Sequence, residues 1–175
     1  MNTRALPNRK LGALVLVRPL RDGDVETVAA VFDRLSPESR ARRFHGAKPR
    51  LSDSECACLA RVDADRHVLV AHVDGDETAA AMARLVRCRE DHRAAEIAFE
   101  VADCYQGAGI GTALVELLLA DARAAGFARV TADVELSNRS ALALVARLLG
   151  RDALRVDGSE VRVEAQLGAV RTAAA

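Results

Sequence analysis

A chain of 175 residues, 50% hydrophobic and 29% charged, is long enough for one buried core and too apolar for a disordered protein. Its 25 basic residues balance its 25 acidic residues, so the net charge gives no reason to expect binding to nucleic acid or to an anionic membrane. Only 3% of the residues are aromatic, which argues against a surface that stacks on bases.

Sequence signals for location and metal binding are few. No apolar run follows the first basic residues, as a signal peptide requires, and no apolar stretch reaches the length of about 18 residues that spans a bilayer. The four cysteines form no C-x-x-C pair, and the four histidines form no H-x-x-x-H pair. We therefore expect reduced thiols, no bound metal and a cytoplasmic protein.

The first sixty residues predict one strand and three helices. Residues 1–12 are polar and contain Pro7 and Gly12, which indicates a flexible tail. "ALVLVRP" (Ala13–Pro19) is rich in β-branched residues and stops at a proline, as a strand does. Three helix starts follow, each with a side chain that can cap free amides: Asp22 or Asp24, then Ser36 ahead of Pro37, then Ser52 with Glu55.

The middle of the chain predicts three consecutive strands. His67–Val73 is the first, and Asp74-Gly75 is a hairpin turn. The alanines of Thr78–Cys88 favour a helix locally, but its position after that turn predicts a strand. In Ala94–Ala102, glutamates alternate with large apolar residues, which is the period-two pattern of a half-buried strand.

The last third predicts a helix over 109–125, a strand over 129–135, a helix over 137–150, a closing hairpin and a tail over 169–175. The whole order is β α α α β β β α β α β β. It predicts a single α/β (α+β) domain over 13–168, with helices packed on a mixed, mostly antiparallel sheet of about seven strands.

Three glycines, Gly107, Gly109 and Gly111, stand at the mouth of the fourth helix in "YQGAGIGTAL". A glycine lets a ligand reach the backbone, and a helix start has about four free N–H groups and about half a positive charge. This combination predicts a phosphate site that needs no lysine, and no lysine is near this turn in the sequence. A tight turn without a ligand is the alternative. A dinucleotide fingerprint would need glycine in place of Thr112, and a P-loop would need G-K-[ST], so neither fits.

The pattern that does fit is Q-x-x-G-x-G, formed by Gln106, Gly109 and Gly111 directly after "FEVA". It resembles the pyrophosphate-binding motif of the GNAT family of N-acetyltransferases, and the resemblance extends over about Leu14 to Leu167. It covers the order of elements, "FEVADCYQGAGIGTAL" and "VELSNRSALALVARLLG". The resemblance implies a GNAT fold, acetyl-CoA as the cosubstrate and no metal. It also implies a set of cofactor-binding residues along the strand, the loop and the second segment: Phe99, Val101, Gln106, Gly107, Ala108, Gly109, Ile110, Gly111, Thr112 and Asn138.

More narrowly, the sequence resembles the catalytic domain of bacterial Pat-type protein lysine acetyltransferases. The similar pieces are "VRPLRDGD", "DRLSPESRARRF", "AEIAFEVADCYQGAGIGTAL" and "SNRSALALVARLLG". Those enzymes often have a fused regulatory domain, for which we expect no room in this chain. Acyl-CoA synthetases are typical acceptors of those relatives, so the resemblance implies a protein lysine as the acceptor.

Acetyl transfer to an amine requires the amine to lose a proton, and a base acting directly or through water helps. The Pat-type resemblance puts the catalytic glutamate at Glu96, on the strand that leads into the loop. We expect partial burial to suit Glu96 to this role. Glu100, about 13 Å further along the same strand face, is the competing base, or else a structural or substrate-orienting acid. For each glutamate, a solvated sheet face is the alternative.

The leaving thiolate and the oxyanion also need partners. The resemblance implies a backbone N–H near Val101 as the oxyanion donor. Many relatives use a tyrosine in the second segment as the acid, but the only tyrosine here is Tyr105, beside the loop. Ser140 is the candidate catalytic acid in its place, with a water or no acid as alternatives. Cys104 invites a route through an acetyl-cysteine, but no histidine lies nearby in the sequence to activate it.

These features predict an acetyl-CoA-dependent N-acetyltransferase that transfers the acetyl group directly to an amine, here a protein lysine. A small-molecule amine as the acceptor is one alternative. A non-catalytic module that binds acyl-CoA is a second, and a structural domain without a cofactor is a third. We expect a monomer or a homodimer.

Overall fold

The computed structural model describes residues 3–168, and within them the chain forms eight strands and five α-helices. The strands are Arg4–Asn8 (β1), Ala13–Pro19 (β2), Arg66–Val73 (β3), Ala81–Arg87 (β4), Ala94–Val101 (β5), Arg129–Glu135 (β6), Leu154–Asp157 (β7) and Glu160–Gln166 (β8). The helices are Val25–Asp33 (α1), Pro37–Phe44 (α2), Asp53–Ala60 (α3), Ile110–Ala124 (α4) and Arg139–Leu149 (α5). The predicted tail over 169–175 lies outside the described residues.

All eight strands belong to one sheet, in the order β1-β2-β3-β4-β5-β6-β8-β7. The fold class predicted from the sequence is therefore confirmed. Helices α4 and α5 cover one face, where Ala95 and Ile97 of β5 pack into the core with Leu114 and Leu118 of α4. Helices α1 and α3 pack on the other face, against Met82 of β4.

The first three helices begin at residues that cap them. Asp24, Ser36 and Ser52 each accept a hydrogen bond from the backbone amide three residues further on. Glu55 completes the predicted capping box at α3. Of the two predicted candidates at α1, Asp24 is the cap, while Asp22 accepts a hydrogen bond from the amide of Val62.

The N-terminal segment differs from its prediction. Residues 4–8, predicted as part of a flexible tail over 1–12, form the edge strand β1, which pairs antiparallel with β2 and adds an eighth strand to the sheet. The sequence pattern did not indicate this strand, because the segment is mostly polar. Its contact with the core is through Leu6, which is partly buried. Pro7 is compatible with an edge position, because an edge strand has one side that needs no backbone donor.

Strands β5 and β6 are parallel, and they pair over only three residues each, 94–96 with 129–131. Beyond this point they separate, while β5 stays paired with β4 as far as Val101 and β6 stays paired with β8 as far as Glu135. Residues 97–101 therefore present a free backbone edge to a cleft. None of the helices in the described part of the chain combines the length and apolarity that a bilayer crossing requires.

Candidate active site

The separated strands open into a cavity of about 630 Å³. Residues of α2, β5, the turn before α4, the start of α4, β6 and α5 line it. Most of the residues predicted from the sequence line it: Glu96, Phe99, Val101, Gln106, Gly107, Gly109, Ile110, Gly111, Thr112, Asn138 and Ser140. Ala108 is outside the lining, and its carbonyl instead accepts a hydrogen bond from Asn8.

The turn before α4 needs glycine for its backbone conformation. Gly107 has φ +73° and Gly109 has φ +91°, the left-handed region that other residues rarely adopt. A Cβ at either position would meet no atom within 4 Å, so open space surrounds both. Gly109 is the N-cap of α4 and no side chain of the described residues caps this helix, so its first amides are free for an anion.

Gly111 has a different role from the one expected. It is buried, and a Cβ here would lie 3.2 Å from Cγ2 of Val101 and 3.4 Å from Cδ1 of Leu144. The space that its missing side chain leaves is filled by protein, so this glycine lets α4 pack closely against β5 and α5. Gly111 still lines the cavity, but the open space beside the backbone lies at Gly107 and Gly109.

The side chain of Gln106 holds the turn in place. Its Nε2, which has two N–H groups, lies within hydrogen-bonding distance of three acceptors: the carbonyl of Val101 at 3.2 Å, Oδ1 of Asp103 at 3.2 Å and Oγ of Ser39 in α2 at 3.1 Å. Gln106 therefore joins the end of β5, the turn and α2. This contact positions the amides of the turn before any ligand arrives.

A second network fixes the base of the turn. The hydroxyl of Tyr105 donates to Oδ2 of Asp76 at 2.7 Å, and Arg34 contacts the same oxygen at 2.7 Å. The guanidinium of Arg34 also lies 5.2 Å from the ring centroid of Tyr105. The hydrogen bond from Arg34, and then that from Tyr105, lowers the pKa of Asp76 to about 2, and the hydrogen bond to Asp76 raises the pKa of Tyr105. The only tyrosine of the chain thus stabilises the turn through its contacts with Asp76 and Arg34.

The two glutamates of β5 differ from the expectations in their exposure to solvent. Glu96 is exposed rather than partly buried, and it occupies the last position of β5 that pairs with β6. Glu100, for which a solvated sheet face was an alternative, is only 9% exposed and accepts a hydrogen bond from Nε of Arg43 at 2.6 Å. Both glutamates lie on the sheet face opposite α4. Glu96 is accessible to a substrate, and Glu100 is held in an ion pair.

The cavity wall beside α2 contains residues that the sequence analysis missed. Arg42, Arg43 and His45 line the cavity, although no motif in "SPESRARRF" indicated a site. Nδ1 of His45 lies 2.7 Å from Oε1 of Glu160 in β8, a contact between residues 115 apart. The only signal in the sequence was the density of arginines on α2, which by itself is typical of a solvated helix face.

The second segment supplies Asn138 and Ser140. Asn138 is the N-cap of α5: its Oδ1 accepts from the amide of Ala141 at 3.1 Å and from Oγ of Ser140 at 3.0 Å. Both residues line the cavity, so they face the space that a cofactor would occupy. Cys104 is exposed and is not part of the lining, so its position gives no support to an acetyl-cysteine route. Among residues 3–168, no group of three or more histidines, cysteines or acids is placed to hold a metal ion.

The site combines two features: a free strand edge, and a helix start that has no side-chain cap and is preceded by glycines. Together they are typical of an acyl-CoA-dependent transferase. Residues 28–150 match the model of the Acetyltransferase (GNAT) family, and the chain belongs to that family. It is therefore an acyltransferase that takes acetyl-CoA as its cosubstrate. The resemblance seen in the sequence is confirmed.

Known proteins support this assignment. An acetyltransferase of Pseudomonas aeruginosa is 33% identical over 132 residues, which are 74% of this chain and 70% of that protein. The acetyltransferase Pat of Mycolicibacterium smegmatis is 34% identical over 165 residues, 93% of this chain and 49% of that protein.

Solved structures agree with the sequence comparisons. The GNAT domain of S. lividans PAT superposes with a TM-score of 0.83 at 28% identity, covering 94% of this chain and 96% of that domain. The cAMP-binding acyltransferase from Mycobacterium smegmatis superposes with a TM-score of 0.66 at 30% identity, covering 98% of this chain and 49% of that protein. The chain thus spans about half the length of the mycobacterial proteins that it matches.

Proposed function

We propose that this acetyltransferase transfers the acetyl group directly from acetyl-CoA to a lysine side chain of a protein, with Glu96 as the general base. The observation on which the proposal rests is the position of Glu96. It is an exposed carboxylate at the point where β5 and β6 part, inside the lining of the cavity. The similarity to Pat-type proteins supports the choice of acceptor.

The residues of the cleft fit an acyl-CoA. The free amides at the start of α4 suit its diphosphate, and the free edge of residues 97–101 offers alternate N–H and C=O groups to an amide-containing arm. We assign the oxyanion donor to a backbone N–H of this edge near Val101. Bound acetyl-CoA supplies the thioester carbonyl that the amine attacks.

Glu96 takes the proton that the lysine ammonium must lose, directly or through a water. The amine nitrogen then bonds to the carbonyl carbon, the carbon–sulfur bond breaks, and the thiolate leaves with the electron pair. The nitrogen gives up its second proton as the amide forms, and an equivalent proton reaches the thiolate. Because Glu96 is exposed, the proton that it accepts can pass on to solvent. Ser140 remains the candidate donor to the thiolate, with its hydroxyl at the cavity wall and oriented by Asn138.

A substitution of Glu96 tests the base. We expect Glu96→Gln to lower kcat about 100-fold near neutral pH, the lower end of what a positioned base contributes, with the affinity for CoA unchanged. The deficit should shrink as the pH approaches the lysine pKa of about 10, because the free amine then needs no base.

The release of the CoA thiol measures turnover. Glu116→Gln, an exposed residue of α4, is the matched control. Wild-type turnover of Glu96→Gln at every pH would exclude Glu96 as the base.

A separate experiment tests the acceptor. Incubation with acetyl-CoA and an acyl-CoA synthetase, followed by mass spectrometry of the synthetase, should reveal an acetylated lysine that forms far more slowly when Glu96→Gln replaces the wild type. Acetylation confined to a panel of small amines would contradict a protein acceptor. CoA binding without thiol release across both panels would instead indicate a non-catalytic acyl-CoA-binding module.

We further propose a cytoplasmic location. All four cysteines (Cys56, Cys58, Cys88 and Cys104) are free thiols, the state that a reducing compartment maintains. Cell fractionation tests the location, and recovery of the protein from an extracytoplasmic fraction would contradict it.

A further inference from the structure

Two hydrogen bonds connect the N-terminal segment to the turn before α4. Nζ of Lys10 donates to the carbonyl of Gly107 at 2.8 Å, and Nδ2 of Asn8 donates to the carbonyl of Ala108 at 3.0 Å. These contacts join residues 97 and 100 positions apart. Lys10 was predicted to belong to a flexible tail, and no lysine is near this turn in the sequence. The structure corrects the first expectation and brings the Lys10 ammonium to the turn.

The position of Lys10 is set by its surroundings. Oδ1 of Asn8 accepts from the amides of Lys10 and Leu11 at 3.1 Å each, which closes a tight turn at the end of β1. At the other end of β1, Arg4 forms a 2.8 Å ion pair with Asp121 of α4. The start of β1 therefore contacts α4, and the residues at its other end contact the turn before α4, which we call the phosphate turn. These contacts fix the position of the Lys10 ammonium.

Lys10 also lines the cavity. Its ammonium has three N–H donors, and the hydrogen bonds of the described residues use one of them, for Gly107. The amides and dipole at the start of α4 offer about half a positive charge, whereas the phosphates of CoA carry several negative charges. A full positive charge beside the turn would neutralise more of the negative charge of the phosphates than the helix start can neutralise alone.

We propose that Lys10 is a phosphate-binding residue for coenzyme A, contributed by the turn that follows the N-terminal strand β1. Its ammonium contacts a phosphate of the cofactor while it holds the carbonyl of Gly107. The competing explanation is purely structural: Lys10 fastens the turn through Gly107, and its charge does not matter.

Charge-changing substitutions separate these two explanations. Lys10→Gln keeps an N–H donor for the Gly107 carbonyl but removes the charge, and we expect it to weaken CoA binding about tenfold in calorimetry at low salt. Lys10→Arg keeps the charge and should bind CoA within about twofold of the wild type. Arg9→Gln removes a positive charge one residue away, outside the cavity lining, and should leave the affinity unchanged.

The salt dependence and a second ligand complete the test. The deficit of Lys10→Gln should shrink at high salt, because screening weakens a charge contact and leaves a neutral hydrogen bond nearly unaffected. A deficit that persists with 3′-dephospho-CoA places Lys10 on the diphosphate, and one that disappears places it on the 3′-phosphate; either result supports the proposal. Unchanged CoA affinity, a deficit independent of salt or an equal deficit in Arg9→Gln would overturn it. The test needs no acceptor, so its result is independent of the proposal for a protein lysine.

Discussion

The two ends of the cleft are built in different ways. At the end proposed to bind the phosphates, here called the phosphate end, one continuous run from Tyr105 to Thr112 provides backbone amides, and two glycines with positive φ set its shape. At the end proposed to receive the amine, here called the acceptor end, the wall combines side chains from α2, β5, β6 and α5, and the Arg43–Glu100 pair joins residues 57 apart. The first wall is thus local in the sequence, whereas the second depends on the topology of the sheet.

The largest effect that we predict is at the phosphate end. We expect Gly109→Glu to weaken CoA binding at least 1000-fold, because the new side chain would enter the open space at the helix start and its carboxylate would repel the phosphates at close range. Calorimetric titration with CoA measures the loss.

The matched control is Gly126→Glu, at the other end of α4, where φ is +83° and a Cβ would also meet open space. It has the same backbone strain far from the cavity and should bind CoA normally. Gly111→Glu is a poorer test, since its side chain would collide with Val101 and Leu144 and disturb packing. Loss of less than tenfold in Gly109→Glu would contradict a phosphate site formed by this turn.

The same contrast explains what could be predicted from the sequence. The strand, the glycine turn and α4 follow one another along the chain, so their spacing was sufficient to place Gln106 and Gly109 on the cavity. Lys10 could not be placed, because β1 is polar and is stabilised mainly by pairing with β2. The burial of Glu100 was equally hidden, because Arg43 reaches it only once α2 lies over β5.

The next prediction concerns the acceptor end. Removing one partner from a buried ion pair costs up to about 5 kcal/mol, and because Arg43 keeps some access to solvent we expect Glu100→Gln to lower the free energy of unfolding by about 2 kcal/mol. Urea denaturation measures this loss, with Glu116→Gln as the exposed control. CoA affinity should stay close to the wild-type value, because Glu100 bonds to Arg43 of α2 and makes no hydrogen bond to the turn before α4. A variant as stable as the wild type would show that the ion pair contributes nothing to the fold.

The smallest effect depends on pH and returns to the base of the phosphate turn. The pKa of Asp76 is about 2 in the folded protein, below its ordinary value of 3.8, mainly because Arg34 donates to it. A lowered folded-state pKa gives stability that is complete above the unfolded-state pKa and is lost as the pH falls toward the folded-state pKa. Since the side chain is 23% exposed and solvent screens the pair, we expect Asp76→Asn to cost about 1 kcal/mol at pH 6.

This cost should diminish as the pH is lowered from 5 to 3, because the Asp76 carboxyl group takes up a proton in the unfolded state over this range while it stays ionised in the folded state, which reduces the stability of the wild type. Urea denaturation of both proteins across pH 3–7 measures it. Asp133→Asn at the acceptor end is the control, since its carboxylate is 52% exposed and lies 3.7 Å from Arg162, a distance at which little stability is expected. A difference between Asp76→Asn and wild type that stays constant over this range would mean that Asp76 holds Arg34 and Tyr105 without its charge. The phosphate end would then depend on hydrogen-bond geometry alone.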